Sequence, residues 1–317
     1  MSYIVTGGCG FIGSNFVNFL DGVVDEQIIV LDNFTYAGDS QNLNESDNVR
    51  VVKCDITDSE CVNNLILHNQ PTAIFHFAAE SHVDNSIKDP TIFVHTNTVG
   101  TMNLLQAVKE HSPKTRFVHI STDEVYGALD HDGPSFLETK LLEPNNVYSA
   151  SKAGADLLVR AYHKTFGVDV VTTRCCNNYG PGQHTEKLLP KVIYNALNDI
   201  SIPVYGKGDN VREWIYVRDH CRAIWEVFIS GESCEVYNIG SGVEINNLDL
   251  VKQVLKSLDK PFSLIKFVTD RAGHDFRYSI DNTKFMALPG QFSSTFTFTP
   301  FNEGLAKTIQ WYKNLTE

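Results

Sequence analysis

Short apolar runs rich in β-branched residues recur through the first half of the chain and alternate with longer segments whose apolar positions follow a helical period. The runs are Tyr3 to Thr6, Gln27 to Leu31, Val49 to Val52, Ala73 to Phe77, Phe117 to Ile120 and Val168 to Thr173. Helix-length stretches begin near Phe11, Asp58, Thr91 and Val147. Near-continuous apolar strands separated by helices predict an α/β fold, a doubly wound parallel sheet of the Rossmann type covered on both faces. From about Asn177 the alternation loosens into Pro- and Gly-punctuated loops with isolated helices such as Leu248 to Leu258 and Asn302 to Tyr312. The expected division is residues 1–176 for the large sheet and residues 177–317 for a smaller α/β domain, some of whose segments return to the first. A second lobe of that kind would stand over the carboxyl edge of the sheet, where open α/β folds hold ligands. The stretch Gly127 to Asn146 is long enough to predict a functional loop.

The first strand runs directly into Gly7-Gly8-Cys9-Gly10-Phe11-Ile12-Gly13 and then into an apolar helix. Missing side chains let the backbone approach a pyrophosphate, and the helix N-terminus offers free N–H groups and a positive dipole end. A glycine triplet alone could be a tight turn. The second strand, however, ends in Asp32, 19 residues after Gly13. A carboxylate there accepts ribose hydroxyls and repels a 2′-phosphate, so NAD is expected over NADP. Asp55, after the third strand, could reach an adenine amine or cap the helix near Asp58. Ala78 and Ala79, after the fourth, are small enough to lie against the cofactor. The candidate NAD set is Gly7, Gly10, Phe11, Ile12, Gly13, Asp32, Asn33, Asp55, Ile56, Ala78 and Ala79, joined by Tyr148 and Lys152.

Tyr148 and Lys152 stand four apart at the start of a predicted helix and therefore share a face. A phenol of pKa ~10 is a poor base at neutral pH, but a fixed cation beside it and an oxidised nicotinamide nearby both favour its ionised form. The fifth strand ends in Ser121-Thr122-Asp123-Glu124, a hydroxyl followed by two carboxylates at the edge where such sheets place catalytic groups. An acidic turn is the plain alternative. A simple alcohol dehydrogenase needs only a base and a hydroxyl, so the additional carboxylates imply additional proton transfers, as in elimination of water.

Composition narrows the partners. With 26 basic and 38 acidic residues the net charge is −12, and no basic run is present to grip nucleic acid. No apolar stretch approaches the roughly 20 residues that cross a bilayer, and the N-terminus does not look like a secretory leader. The seven cysteines have no metal-like spacing, so no metal site is expected; mostly packing thiols in a reducing, cytoplasmic compartment are.

The segments TGGCGFIGSN, LDNFTYAG, HFAAESHVD, STDEVYG, YSASK, RCCNNYGPGQ, EKLLP, REWIYVRDH and DRAGHDFRY together resemble the nucleotide-sugar 4,6-dehydratases of the extended short-chain dehydrogenase/reductase superfamily. That resemblance implies oxidation of a nucleoside-diphosphate glucose at C4 by NAD, elimination of water across C5–C6, and return of hydride to C6. Tyr148 would take the 4-hydroxyl proton, Thr122 hold the oxygen, Lys152 tune the phenol, Glu124 act as base at C5 and Asp123 as acid toward the C6 hydroxyl. It also implies substrate contacts from Ser81, Asn177, Lys187, Leu188, Arg212, Asn247, Arg271, His274 and Tyr278, with guanidinium forks suited to the diphosphate. A homodimer through a four-helix interface is implied as well. The chain departs from the family pattern at Cys9, Cys176, Asn33 and Asn85, and only 24 residues separate Glu124 from Tyr148, which shortens the loop between them. Thymine and uracil differ by one methyl group, worth about 1–3 kcal/mol, so dTDP-glucose and UDP-glucose both remain open. The rival readings are a nucleotide-sugar 4-epimerase, which has no use for Asp123 and Glu124, and a non-catalytic NAD-binding regulator.

Overall fold

The computed structural model describes residues 1–270, 274–290 and 296–316. Strands β1 (Ser2–Thr6), β2 (Gln27–Asp32), β3 (Val49–Lys53), β4 (Ala73–His76), β5 (Arg116–Thr122) and β6 (Val170–Cys175) form one parallel sheet with β10 (Val236–Ile239). From the β3 edge the order is 3-2-1-4-5-6-10. Winding therefore reverses between β1 and β4, and the crevice opens at the carboxyl ends of the strands there. Successive side chains point to opposite faces of a strand. Ile4, Ile29 and Leu31 pack into one buried cluster with Leu104, Leu105 and Val159, whereas Tyr3, Val5 and Val30 pack into the other with Phe16, Val17 and Ile224.

Helices α1 (Phe11–Asp21) and α2 (Ser59–Asn69) follow β1 and β3. The expected helix near Thr91 is composite: α3 (Val83–Lys88), α4 (Pro90–Phe93), a π-helical turn Val94–Gly100, and α5 (Thr101–His111). Pro90 starts a new helix at a position where its missing N–H costs nothing. The π turn presents Asn97 and Thr98 to α6 (Val147–Phe166), where Asn97 Nδ2 donates to Ser151 Oγ at 2.9 Å and Thr98 Oγ1 to the Ser151 carbonyl at 3.0 Å. A reciprocal capping box of Asn146 and Ser149 starts α6, fixing the height at which Tyr148 enters the site.

The later chain contains β7 (Asn177–Tyr179), α7 (Leu188–Leu197), β8 (Ile202–Tyr205), β9 (Val211–Tyr216) and α8 (Val217–Ser230). After β10 come β11 (Glu244–Asn246), α9 (Asn247–Ser257), β12 (Ile265–Val268), α10 (Thr283–Met286) and α11 (Phe301–Thr316). A third apolar cluster joins Leu189, Ile193, Trp214, Leu250, Leu255 and Leu305 beneath two small sheets, β11-β9-β7 and β12-β8. Segments of this half rejoin the large sheet: β10 pairs with β6, and α8 packs on α1.

One expectation is corrected. Cys54 and Cys61 form a disulfide, because the turn after β3 brings the strand end back to the first turn of α2. The other five cysteines are unpaired, and all but Cys234 are buried.

Candidate active site

A cleft of about 450 Å³ lies at the carboxyl ends of the strands on either side of the winding reversal. Its cofactor-side wall is backbone packed on backbone. At Gly7, with φ of +67°, a Cβ would come within 2.7 Å of Ala78 Cα; at Gly13 it would come within 2.2 Å of the Gly7 carbonyl oxygen. Only glycine keeps the turn, the β4 loop and the first turn of α1 at this separation. Gly10, Phe11, Ile12, Ala78 and Ala79 line the same wall.

At the far end, Asp32 is fixed by its own turn, accepting from Cys9 N and Phe34 N, both at 2.9 Å. Asn33 Nδ2 donates to Asp55 Oδ2 at 2.6 Å, and Asp55 Oδ1 accepts from Thr57 N and Oγ1. Asp55 is therefore not the helix cap, a role taken by Asp58, and it lines the cleft beside Ile56.

Thr122, Asp123, Glu124, Tyr148 and Lys152 converge on the opposite wall. The Thr122 hydroxyl caps the turn Asp123–Tyr126 by accepting from Glu124 N at 3.3 Å, and donates to Asp123 Oδ1 at 3.2 Å. The second carboxylate oxygen of Asp123 is buried without a partner among the described residues. Burial, then the Glu124 and Glu213 carboxylates, push Asp123 well above the ordinary carboxylate range, which favours its protonated form. Asn146 Nδ2 reaches Glu124 Oε2 at 3.5 Å. Lys152 Nζ donates to the Ile120 carbonyl at 2.8 Å, and burial lowers it to about 8.

The protein's own groups do not depress the Tyr148 phenol. Burial first, then Glu124, Cys175 and Asp123, raise it well above its ordinary value, outweighing the Thr122 hydrogen bond. The sequence showed the cation but not the depth of burial.

Asn177, Ser81 and Lys187 reach the cleft, and Lys187 Nζ donates to the Ser81 carbonyl at 2.7 Å. Leu188, Arg212, Asn247, His274 and Tyr278 lie outside its lining, and Arg271 falls outside the described residues. Arg212, expected to present a fork to phosphate, is buried. It donates to the Val211, Asp275 and Phe276 carbonyls and stacks over the Tyr278 ring at 4.5 Å. The Tyr278 hydroxyl donates to Asp275. Asn247 Oδ1 is buried without a partner among the described residues, and His274 pairs with Asp270 at 2.7 Å. These residues make a second polar cluster beside the cleft. Sequence reasoning passed over Glu186 and Tyr36, whose hydroxyl reaches Glu186 Oε1 at 3.3 Å across the cleft mouth; both lie in segments that carried the family resemblance.

Fold and site define the class: an extended short-chain dehydrogenase/reductase, with a glycine turn under a winding reversal and a Thr-Asp-Glu turn facing Tyr148 and Lys152. The GDP-mannose 4,6 dehydratase family model matches residues 4–291, and the chain belongs to that family. It is 46% identical to a dTDP-glucose 4,6-dehydratase of Streptomyces niveus, over 99% of this chain and 93% of the relative. It is 49% identical to the low-salt glycan biosynthesis protein Agl12 of Haloferax volcanii, over 98% of each. The crystal structure of DesIV, a dTDP-glucose 4,6-dehydratase from Streptomyces venezuelae with NAD and TYD bound, superposes with a TM-score of 0.92 at 46% identity, covering 99% of this chain and 97% of that one. A UDP-glucose 4-epimerase of Thermus thermophilus in complex with NAD gives 0.88 at 26% identity, with 99% of each chain covered.

Proposed function

We propose that this chain is an NAD-dependent nucleoside-diphosphate-glucose 4,6-dehydratase, a hydro-lyase forming the 4-keto-6-deoxy sugar. The observation that carries the reading is Asp123: a buried carboxyl group with one oxygen unpartnered among the described residues, its proton held by burial, next to Glu124 in the cleft. A 4-epimerase needs neither group, and a regulator needs only the cofactor wall.

The residues present fit NAD. At Gly10, which lines the cleft, a Cβ would stand against the space the cofactor needs, and Asp32, anchored by two backbone amides, offers a carboxylate that would accept ribose hydroxyls and repel a 2′-phosphate. When bound, the nicotinamide would supply reversible hydride exchange with the sugar. Thr122 and Tyr148 hold the 4-oxygen, and Tyr148 accepts its proton in its ionised form, which the Lys152 ammonium and an oxidised nicotinamide nearby would favour against the burial that raises it. The ketone so formed acidifies the C5 hydrogen, which Glu124 removes and later restores. Asp123 gives its proton to the C6 hydroxyl as the C–O bond breaks, and one water leaves. The proton gained at Tyr148 matches the proton lost at Asp123, so exchange with solvent resets the site. Ser81, Asn177 and Lys187 would face the sugar, and the cluster around Arg212, Asn247 and Tyr278 the nucleotide.

A homodimer formed by α4, α5 and α6 is supported by the exposed apolar side chains Val94, Met102 and Leu157 on that side of the molecule. Five unpaired cysteines accord with a cytoplasmic setting. Separate incubations with dTDP-glucose and UDP-glucose, followed by mass spectrometry, test the reading. Loss of one water from either sugar nucleotide is expected, and a product of unchanged mass with an inverted C4 would instead establish an epimerase.

A further inference from the structure

Tyr148, Lys152 and Asp156 occupy positions i, i+4 and i+8 of α6, so they descend one face of the helix at roughly 6 Å intervals. All three are buried. The proposed function uses the first two; the third is a carboxylate deep under the sheet edge with no part in that reaction. Its two oxygens are divided between neighbouring strands. Oδ1 meets His119 Nε2 of β5 at 3.1 Å, and Oδ2 accepts from Arg174 Nε of β6 at 2.9 Å. His119 precedes Ile120, whose carbonyl holds the Lys152 ammonium. Arg174 pairs in register with Ser121 and lies over the Tyr126 ring at 4.7 Å, and the Tyr126 hydroxyl donates to Asn238 of β10 at 2.7 Å.

We propose that Asp156 is a positioning residue for the Tyr148–Lys152 pair: it locks the reactive face of α6 to β5 and β6 and supplies the fixed negative charge that keeps Lys152 an ammonium. The proposal rests on the reading of Tyr148 and Lys152 as the pair that handles the 4-hydroxyl proton.

Charge counting gives the reason. The ionisable groups facing Lys152 are Tyr148 and Asp156 from its own helix, His76 from β4, His119 from β5, and Arg174 and Cys175 from β6. Burial holds both histidines neutral, His119 at about 4, and raises the Cys175 thiol to about 12. A neutral His119 facing an acceptor-only carboxylate must carry its proton on Nε2. Asp156 stays ionised, its carboxyl drawn below the ordinary range by Arg174 and His119 despite burial. The buried set is thus two cations and one anion. If the anion is removed, one of two neighbouring cations must yield. A guanidinium does not deprotonate in a protein, so Lys152 is the group that loses its charge. The π turn contributes only neutral Asn97 and Thr98, which bond Ser151 and cannot substitute.

The test is the pH dependence of kcat in the NAD-loaded enzyme. Wild type should lose activity through an alkaline limb near the Lys152 value of about 8. Asp156→Asn should move that limb down by at least one pH unit, a tenfold change in proton concentration, with NAD still bound. Asp156→Asn combined with Arg174→Gln removes one charge of each sign and should bring the limb back toward wild type. Asp156→Glu should leave the limb in place even where kcat falls. If the limb stays put in all three variants, or if the double variant shifts as far as the single one, the proposal is overturned. If the asparagine variant does not fold, Asp156→Ser takes its place under the same expectation, a limb at least one pH unit lower, and an unchanged limb overturns the proposal. Should wild type release no water from either sugar nucleotide, the functional reading fails by itself. Asp156 is then judged by nuclear-magnetic-resonance titration of the Lys152 ε-methylene against a Lys152→Met control, which should show Lys152 losing its proton at least one pH unit lower once Asp156 is neutralised; an unchanged titration overturns the proposal.

Discussion

Alanine at Gly13 and alanine at Gly10 should fail in different ways. A methyl at Gly13 would sit 2.2 Å from the Gly7 carbonyl oxygen and 2.9 Å from Gly7 C and Gly8 Cα. All three are backbone atoms, so no rotamer change relieves the overlap; α1 must draw away from the β1 turn by about an ångström. Overpacking of this kind costs about 1–3 kcal/mol, and backbone-only neighbours place Gly13→Ala at the upper end, about 3 kcal/mol. At about 2 °C per kcal/mol for a chain of this size, Tm should fall by roughly 6 °C. A methyl at Gly10 meets only the Gly7 carbonyl oxygen, at 3.3 Å, and otherwise projects into the cleft, with backbone angles any residue can adopt. Gly10→Ala should therefore melt within about 2 °C of wild type while binding NAD at least tenfold more weakly. Circular-dichroism melts, with retained cofactor measured by absorbance after gel filtration, separate the two. A Gly13→Ala protein with wild-type Tm, or a Gly10→Ala protein that loses stability but keeps its cofactor, would refute the assignment of these glycines to helix packing and ligand approach respectively.

Glu124→Gln should retain fold and NAD but yield less than a hundredth of the wild-type 4-keto-6-deoxy sugar, with C5 no longer exchanging deuterium from solvent; normal turnover would remove Glu124 from its role. Two buried histidines make stability sensitive to acid. His220 is lowered to about 3 and His119 to about 4 from 6.5, so the unfolded chain binds their protons first, and stability present above pH 6.5 drains away as pH falls toward those values. Urea midpoints at pH 7 and pH 5 should show the loss, at most about 1.4 kcal/mol per pH unit for each group, and His220→Gln should flatten it. Leu157→Asp places a charge on the proposed dimer face at a side chain that is 59% exposed; light scattering should report a folded monomer, and an unchanged dimer would move the interface elsewhere.

The parallel sheet was legible because each of its strands from β1 to β6 is an apolar run long enough to show its period. β10, four residues long, was not, since Val236–Ile239 looks like any apolar patch until its pairing with Thr172–Cys175 is seen. The glycine turn, Asp32 and the Thr122–Glu124 turn stood out because their chemistry depends on local spacing. What depended on depth did not. The upward shift of Tyr148 and the burial of Arg212 against Tyr278 arise from packing between distant segments, and the pairing of Cys54 with Cys61 from the path of the turn between β3 and α2. Asp156 is intermediate: its i+8 spacing from Tyr148 was visible, but its partners His119 and Arg174 come from two other strands.

The pairing of β10 with β6 also bears on how this scaffold can diversify. Because Val236–Ile239 covers one edge of the sheet, the two halves of the chain share a single hydrogen-bonded ladder. A recombination at residue 177 that brought in a C-terminal half whose strand did not match Thr172–Cys175 would leave unpaired amides and carbonyls along β6, which invites aggregation. New substrate preferences on this framework are therefore better reached by substitutions within the existing second lobe, or by duplication of the whole gene, than by exchanging halves between relatives.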